Sequence, residues 1–306
     1  MYPGSTARKQ YRKVIKTLLV DSRDRLPLTT QSQYSVKLPK TYENIYAVTL
    51  KSAEVPYGWY TFSAARGNIS FVVNYDGGGD TTVIISEGNY TASAFAKEIE
   101  TQLSSVDTDF VVDYNSSTNT LAIYNTKADF TLDFTTPQTK TIGCSGPTAI
   151  TQTSSYWGLG YYMGFDKKVY TSAKVGSFDH IVTSSFAVNV NPDNYILMEL
   201  DFINKEDETS IDSRLSGRVD GCFAKLPITG NTGDVIFFRE LCCPMNRSVM
   251  NPPLGQLRTL NIKWRFHDGM LVDFHNLDHS FTLEFELLEN GFDEYSSIDF
   301  SPLNSR

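Results

Sequence analysis

Cysteine and histidine are scarce in this sequence, with four of each among 306 residues. The cysteines, at positions 144, 222, 242 and 243, form no C-x-x-C pair. This disfavours zinc ligation and disulfide staples and favours reduced thiols. No run of about 18 apolar residues occurs, so we expect no membrane span. The N-terminus also lacks the apolar segment of a signal peptide, so we expect a protein that is not secreted.

Catalytic motifs are missing as well. The sequence contains no Gly-x-Ser-x-Gly nucleophile elbow and no Walker loop. The glycines at 158, 160 and 164 have the wrong spacing for a dinucleotide fingerprint, and close backbone packing explains them better. The acidic run Glu206–Glu208 lies in a polar segment and is typical of a solvated turn. We therefore expect no catalytic residue, no cofactor and no enzymatic activity.

Three of the four histidines lie in one polar segment, which separates two strand patterns. His267, His275 and His279, with the aspartates between them, offer nitrogen and oxygen ligands for a metal. Their spacing matches no standard zinc or calcium loop, so we interpret the segment as a long hairpin connection and expect no metal site. A cupin-like enzyme that holds a metal near these histidines stays an alternative.

Composition favours a β-rich protein that hides part of its surface. Aromatic residues make up 13% of the chain and charged residues only 20%. Aromatics suit pleated, half-buried surfaces, and interfaces are rich in aromatics and poor in charge. An ordinary β-sandwich whose aromatics all lie in its core explains the same numbers.

Charge is distributed unevenly along the chain. The net charge is −8, yet residues 1–16 contain no acidic residue. The remainder is clearly acidic, which excludes a general nucleic-acid binder. We predict a flexible basic arm at 1–16 that reaches an acidic surface or nucleic acid, although a solvated terminus without partners is the simpler alternative. Its basic residues are Arg8, Lys9, Arg12, Lys13 and Lys16.

Strand patterns dominate the two ends of the chain. Tyr34, Val36 and Leu38 alternate with polar residues, and similar runs recur from about residue 180 to Leu288 without an intervening helix. Eight or nine such runs predict an all-β fold, a single jelly-roll sandwich of eight antiparallel strands in two sheets. An immunoglobulin-like sandwich is the main alternative, but its Cys…Trp…Cys pattern is missing.

A small mixed α+β unit interrupts these strands. Thr91 is a suitable N-cap, and Phe95, Ile99 and Leu103 recur every four residues, which predicts an amphipathic helix. Glycine-rich or Asn-rich turns predict two hairpins beside it. The predicted domains are an arm at 1–16, a jelly-roll base at 17–65 and 171–290, an inserted domain at 66–170, and an acidic tail at 291–306.

Aromatic residues are concentrated between glycines near the end of the insert. They offer a platform for sugars or for a protein partner. The alternative is that they cap the core of the insert, because a small domain needs large side chains for its stability. The candidate display residues are Tyr156, Trp157, Tyr161 and Tyr162.

Several patches together resemble the penton, or minor capsid, proteins of virophages, polinton-like elements and related large double-stranded DNA viruses. The stretches that contain them, 19–57, 87–165 and 264–286, cover about half of the chain, and the order of the patches carries the resemblance more than any single one. They are LVDSRDR at 19–25, QYSVKLP at 33–39, YENIYAVTLKSAEVPY at 42–57, EGNYT at 87–91, LGYYMGF at 159–165, WRFHDGMLVDF at 264–274 and HSFTLEFE at 279–286.

The resemblance implies a structural role without enzymatic activity or cofactor. It implies a jelly-roll base, five copies of which close each icosahedral vertex of a virion against double-jelly-roll major capsid hexons. The basic arm is then expected to contact the shell or packaged DNA, and the insert to project outward, where it meets a host receptor. Synthesis in the host cytoplasm follows from the same resemblance. A lectin-like jelly roll that binds carbohydrate or a receptor, without a capsid role, is the alternative.

Overall fold

The chain folds almost entirely into β-strands. A computed structural model describes residues 11–135, 139–141, 147–149, 158–175, 178–201, 203, 221–239 and 246–290. Within these ranges there are two α-helices, α1 (Ala92–Leu103) and α2 (Leu159–Tyr162). The strands are β1 (Tyr11–Asp21), β2 (Gln33–Pro56), β3 (Ser70–Tyr75), β4 (Asp80–Ile84), β5 (Phe110–Asn115), β6 (Thr120–Asn125), β7 (Phe130–Asp133), β8 (Thr139–Thr141), β9 (Pro147–Ala149), β10 (Val169–Thr171), β11 (Ala173–Val175), β12 (Phe178–Thr183), β13 (Tyr195–Leu200), β14 (Ala224–Pro227), β15 (Val235–Arg239), β16 (Arg247–Arg265) and β17 (Ser280–Asn290).

The two ends of the chain form a jelly roll, as the sequence predicts. Its first sheet has the order β1, β17, the second half of β2, and then β15 together with the start of β16. Its second sheet has the order of the first half of β2, the end of β16, β13 and β14. All of these pairs are antiparallel, which gives the two four-stranded sheets and the crossing connections of this fold.

Two long strands pass from one sheet into the other. The pairing of β2 with β16 shifts register between Val249 and Leu254 and again between Leu257 and Thr259. Such irregularities bend a strand and change its twist, so each strand can turn a corner of the sandwich without a loop. The inward row of each sheet fills the core, which includes Tyr34, Trp264 and Phe281.

The first strand corrects the expected extent of the basic arm. Residues 11–16, predicted as part of a flexible arm, lie in β1, which pairs with β17 from Tyr11↔Asn290 to Asp21↔Ser280. The alternation of side chains along β1 explains the difference. Leu18 and Val20 point into the core and hold the end of this strand in place, and the basic residues continue the same strand toward its start. β1 is the edge strand of the first sheet among the described residues.

The inserted body has two small sheets and both α-helices. Its sheets have the orders β10-β7-β3-β4 and β11-β12-β6-β5, and a separate pair joins β8 to β9. Helix α1 begins as predicted, since the Thr91 hydroxyl accepts a hydrogen bond from the Ala94 amide at 3.2 Å. Phe95, Ile99 and Leu103 are buried between the sheets, which confirms the predicted apolar face.

The insert extends beyond the predicted boundary at residue 170. Strand β12 pairs with β6, from His180↔Asn125 to Thr183↔Ala122, so residues 173–183 belong to the insert and not to the jelly roll. Residues 185–190 lie in the region where the sequence predicts recurring strand runs, but they form no strand. The buried Val188 there donates its backbone amide to the Asn119 carbonyl. Independent folding of the two bodies stays a prediction.

Two hydrophobic cores meet within three residues of each other. Trp59 lies in the jelly-roll core, stacked on Tyr57 at 4.3 Å between ring centroids, whereas Phe62 lies in the core of the insert, stacked on Phe95 at 4.8 Å. The insert therefore leaves the jelly roll directly after β2 and returns directly before β13. Since β1 and the two halves of β2 are the first three strands, the insertion follows the third.

Candidate functional site

The three clustered histidines have separate structural roles. His267 Nδ1 and the Tyr195 hydroxyl are 2.8 Å apart, while His275 Nδ1 donates to the Gly58 carbonyl at 2.6 Å. His279 is buried beside Tyr34, whose hydroxyl is 2.9 Å from its Nε2. In the described part of the chain, no group of three or more His, Cys, Asp or Glu side chains has the geometry of a metal site.

Burial has a strong electrostatic effect on His279. Loss of hydration lowers the pKa of His279 to about 4, although Asp278 and Asp21 favour its charged form. The ring is therefore neutral at neutral pH and packs against the rings of Trp264 and Phe274. Packing on these rings and on Tyr34 is the environment of a histidine that stabilises a core.

A groove of about 400 Å³ crosses one end of the first sheet. Its charged groups are largely paired, because Arg23 binds Asp21 at 2.5 Å and Arg25 binds Asp278 at 3.0 Å. The hydrogen bond from Arg23 lowers the pKa of Asp21, so this carboxyl stays ionised and is a poor proton donor. The lining residues are Asp21, Arg23, Glu54, Pro56, Val235, Asp278, His279 and Ser280.

The predicted aromatic platform is not a surface feature as far as the structure describes it. Tyr162 is buried in the core of the insert, and Tyr161 is half-buried with its ring at a right angle to that of Tyr162. The prediction of Tyr162 as a display residue is therefore wrong, because the insert needs this ring to fill its own core. Tyr156 and Trp157 lie outside the described residues.

The predicted basic residues divide into two groups. Arg8 and Lys9 lie outside the described residues, whereas Arg12, Lys13 and Lys16 are exposed on β1. Lys13 binds Glu286 at 3.2 Å and lies over the ring of Tyr46 at 4.5 Å. Three cations therefore lie along the start of an edge strand and not on a free arm.

One edge of the first sheet exposes large apolar side chains. Tyr11, Ile15 and Leu19 recur every four residues on β1 and all lie on its outward side. Leu19 is 70% exposed, although its neighbours Leu18 and Val20 are buried. These three residues are called the β1 strip below.

The opposite edge of the same sheet is also apolar. Val235 and Phe237 on β15 and Val249 on β16 are exposed, and Phe237 is 65% exposed. They are called the β15 strip below. Residues that pair across strands point to the same face. The register therefore places both strips on one face, since Ile15 pairs with Glu286, Glu286 with Ala47, and Ala47 with Val249.

Polar side chains separate the two strips. Ser52 and Thr282 are joined by a hydrogen bond at 3.2 Å, and Glu54 accepts one from Ser280 at 2.8 Å. Glu284 and Lys51 form an ion pair at 3.8 Å beside them. The outward face thus has a polar centre and two apolar margins.

Arg66 is a buried charged residue that sequence reasoning did not single out. Its side chain is 8% exposed and binds Asp193 at 2.7 Å where the insert joins the jelly roll. The one local signal is Ser63, which caps the short helical turn that ends at Arg66. That signal predicts the turn but not the ion pair, because Asp193 is distant in sequence.

Comparison with known proteins finds matches among solved structures only. No protein-family model matches the chain, and no curated protein matches it. Among solved structures, the selenomethionine-labelled mavirus penton protein is similar over 90% of this chain and 99% of its own, with 12% sequence identity and a TM-score of 0.44. At this identity the chain is not the mavirus protein itself.

No helix among the described residues has the length and the apolar character that crossing a membrane would require. The fold assignment rests on the strand pairing: the chain is an all-β protein with a jelly roll of antiparallel strands and an inserted α+β body.

Proposed function

We propose that this chain is a structural capsid protein, a penton, that closes the five-fold vertices of an icosahedral shell of a double-stranded DNA virus or virophage. The observation that carries the proposal is the pair of apolar strips at opposite edges of the first sheet. The sequence patches that resemble penton proteins support the same role. The proposal includes no catalytic step and no cofactor.

Two different apolar margins favour a ring over a two-fold dimer. A two-fold dimer brings one patch against the same patch on its partner, whereas a ring brings one flank of each copy against the opposite flank of the next. A chain built for a two-fold dimer needs one exposed strip. This chain has two, on one face and at opposite edges, as head-to-tail contact requires.

The chemistry of the strips suits a contact between proteins. Single exposed apolar residues are common, but apolar residues grouped on one face mark interaction surfaces. Phe237 and Tyr11 supply the aromatic groups that are enriched in interfaces, and the polar residues between the strips supply a rim. β1 also has a free edge among the described residues, which a neighbouring copy can cover.

The basic residues extend the proposal to the inner side of the shell. Arg12, Lys13 and Lys16 lie at the start of β1, and Arg8 and Lys9 precede it. We assign this segment to contacts with acidic neighbours in the shell or with packaged DNA. Removal of residues 1–10 should weaken incorporation into vertices and leave the fold intact. Normal incorporation of that truncated chain would contradict this part of the proposal.

The inserted body is assigned to the outer side of the vertex. It has its own sheets and core, and it joins the jelly roll through two adjacent connections. A separate body of this kind can be displayed without disturbing the contacts between copies. Its partner in this proposal is a host receptor, and the neighbours of the ring are hexons of the major capsid protein.

The test is whether the purified chain assembles and where it sits in a shell. We expect native mass spectrometry to detect pentamers that dissociate on dilution, and electron microscopy of shells reconstituted with a double-jelly-roll major capsid protein to show density for the chain at five-fold corners. The variant Ile84→Glu places a charge on an exposed apolar residue of the insert, outside both strips. It should therefore assemble as the unaltered chain does. A chain that is absent from the shells and monomeric at every concentration would contradict the proposal.

A further inference from the structure

The connection between the jelly roll and the insert contains a buried ion pair. The Arg66 guanidinium donates to Asp193 Oδ2 at 2.7 Å, and the two side chains are 8% and 12% exposed. Arg66 follows the segment that leaves the jelly roll, and Asp193 precedes β13, where the chain returns. The pair therefore links the outgoing and returning segments, which are distant in sequence.

Arg66 also contacts the jelly roll itself. Its guanidinium lies over the ring of Phe266 at 4.2 Å, and Phe266 belongs to the jelly-roll core directly after β16. A second nitrogen of Arg66 donates to the Thr61 carbonyl at 3.3 Å. A planar guanidinium can serve a carboxylate, a carbonyl and an aromatic face at once, which an ammonium cannot.

Amide side chains hold the outgoing segment around this pair. Asn89 accepts a hydrogen bond from the Thr61 amide at 2.7 Å and donates to the Trp59 carbonyl at 2.8 Å. Asn68 donates to the Thr61 carbonyl at 2.8 Å. The segment between the two cores is thus bound to residues of the insert on one side, while the Trp59 ring is fixed in the jelly roll.

The charged groups near the pair come from both bodies. Burial raises the pKa of Asp193, while the Arg66 charge lowers it. Asp268 and His267 approach from the jelly roll, and Tyr162 approaches from the insert. An isolated buried charge is costly, so each partner is stable in this position only while the other is present.

We propose that Arg66, Asp193 and Phe266 form a joint that holds the inserted body in one orientation on the jelly roll. Without it, the outgoing segment keeps its contacts with His275, but its link through Arg66 to the returning segment is lost, and the connection can bend more easily. With it, the two crossings and the jelly-roll surface are bound at one point. This role does not depend on the capsid proposal, because it concerns the isolated chain.

Hydrogen exchange of the full-length chain tests the joint. In Arg66→Met and Asp193→Asn, we expect faster amide exchange in the connecting segments, residues 57–63 and 188–194, with no change in α1 or β17. Small-angle scattering should show a larger radius of gyration than for the unaltered chain. Arg66→Lys, which keeps the charge but loses the planar contact, should give a smaller change, and Phe266→Leu should resemble it.

The matched control is Arg23→Met, which removes an exposed ion pair of the jelly roll and should alter neither measurement. Unchanged exchange in the connecting segments of Arg66→Met would overturn the proposal. Faster exchange throughout both bodies, α1 included, would overturn it too, because it would make Arg66 a general stability residue. If Arg66→Met does not fold, Arg66→Lys and Phe266→Leu provide the same test, because their smaller change in exchange should still be confined to the connecting segments.

Discussion

The jelly roll and the insert treat their apolar side chains differently. Both have dense aromatic cores, but the jelly roll leaves six large apolar side chains exposed on one face of one sheet, in the two strips. Among its described residues the insert exposes Ile84 on β4, Val169 on β10 and Phe186 in the segment after β12. The jelly roll thus groups its exposed apolar side chains on one face and the insert scatters its own, so the proposed contact between copies belongs to the jelly roll.

The largest expected effect tests whether the two cores are separate. Trp59→Ala and Phe62→Ala each remove a fully buried ring and should lower the free energy of unfolding by about 3–5 kcal/mol. We expect Trp59→Ala to destabilise the jelly roll and Phe62→Ala the insert, because each ring packs in one core only. Hydrogen exchange in β17 and α1 measures the two effects. If either variant accelerates exchange equally in both, the division into two cores is incorrect.

Acid provides a second way to separate the bodies. His279 has its pKa lowered to about 4 in the folded jelly roll, against about 6.5 when unfolded. Below about pH 6.5 the unfolded state therefore binds a proton that the folded state does not, and stability falls until about pH 4. The integrated loss is about 3 kcal/mol. We expect the jelly roll to unfold before the insert on acidification.

The variant His279→Gln isolates that effect. It should flatten the dependence of stability on pH between about 6.5 and 4.5, as measured by chemical denaturation at several pH values. His267→Gln, which alters the histidine that bonds Tyr195 at the surface, is measured beside it to separate the effect of burial from the loss of any histidine. A wild-type stability that is constant over this range would mean that His279 is accessible to protons in the folded state.

The smallest effect concerns the packing of the insert alone. Gly164 has a φ of +81°, and a Cβ there would lie 2.2 Å from the Phe186 carbonyl oxygen. Gly164→Ala should cost about 1–3 kcal/mol from strain and overpacking. Gly233→Ala, at a φ of +91° with open space around it, should cost only the conformational part, about 1 kcal/mol. Equal losses in thermal unfolding would show that the close approach to Phe186 is not important.

Local patterns predicted much of the insert and the general class of the fold. Thr91 with Phe95 and Ile99 specifies α1, and the turns after Tyr75 and Asn115 specify two hairpins, because caps and turn residues act over a few positions. The passage of β2 and β16 between sheets was not predictable. Register shifts in a long strand depend on the partner strand and not on the strand itself.

The candidate surface was harder to predict for a similar reason. Alternation separates Leu18 from Leu19, but only the sheet order shows that Leu19 faces solvent at an edge. Phe237 has the same ambiguity on β15. Arg66 and Asp193 are ordinary surface residues by type, and their burial follows from the joining of two bodies. Contacts between distant segments decide all three features.

Mixing of two edge variants tests the head-to-tail contact most directly. Leu19→Glu disables the β1 strip and Phe237→Glu the β15 strip, so each variant alone should be monomeric by native mass spectrometry. Mixed in equal amounts, they should form one-to-one dimers and nothing larger, because one intact contact remains between unlike copies. A mixture that stays monomeric while the unaltered chain assembles, or either variant alone forming rings, would contradict the account.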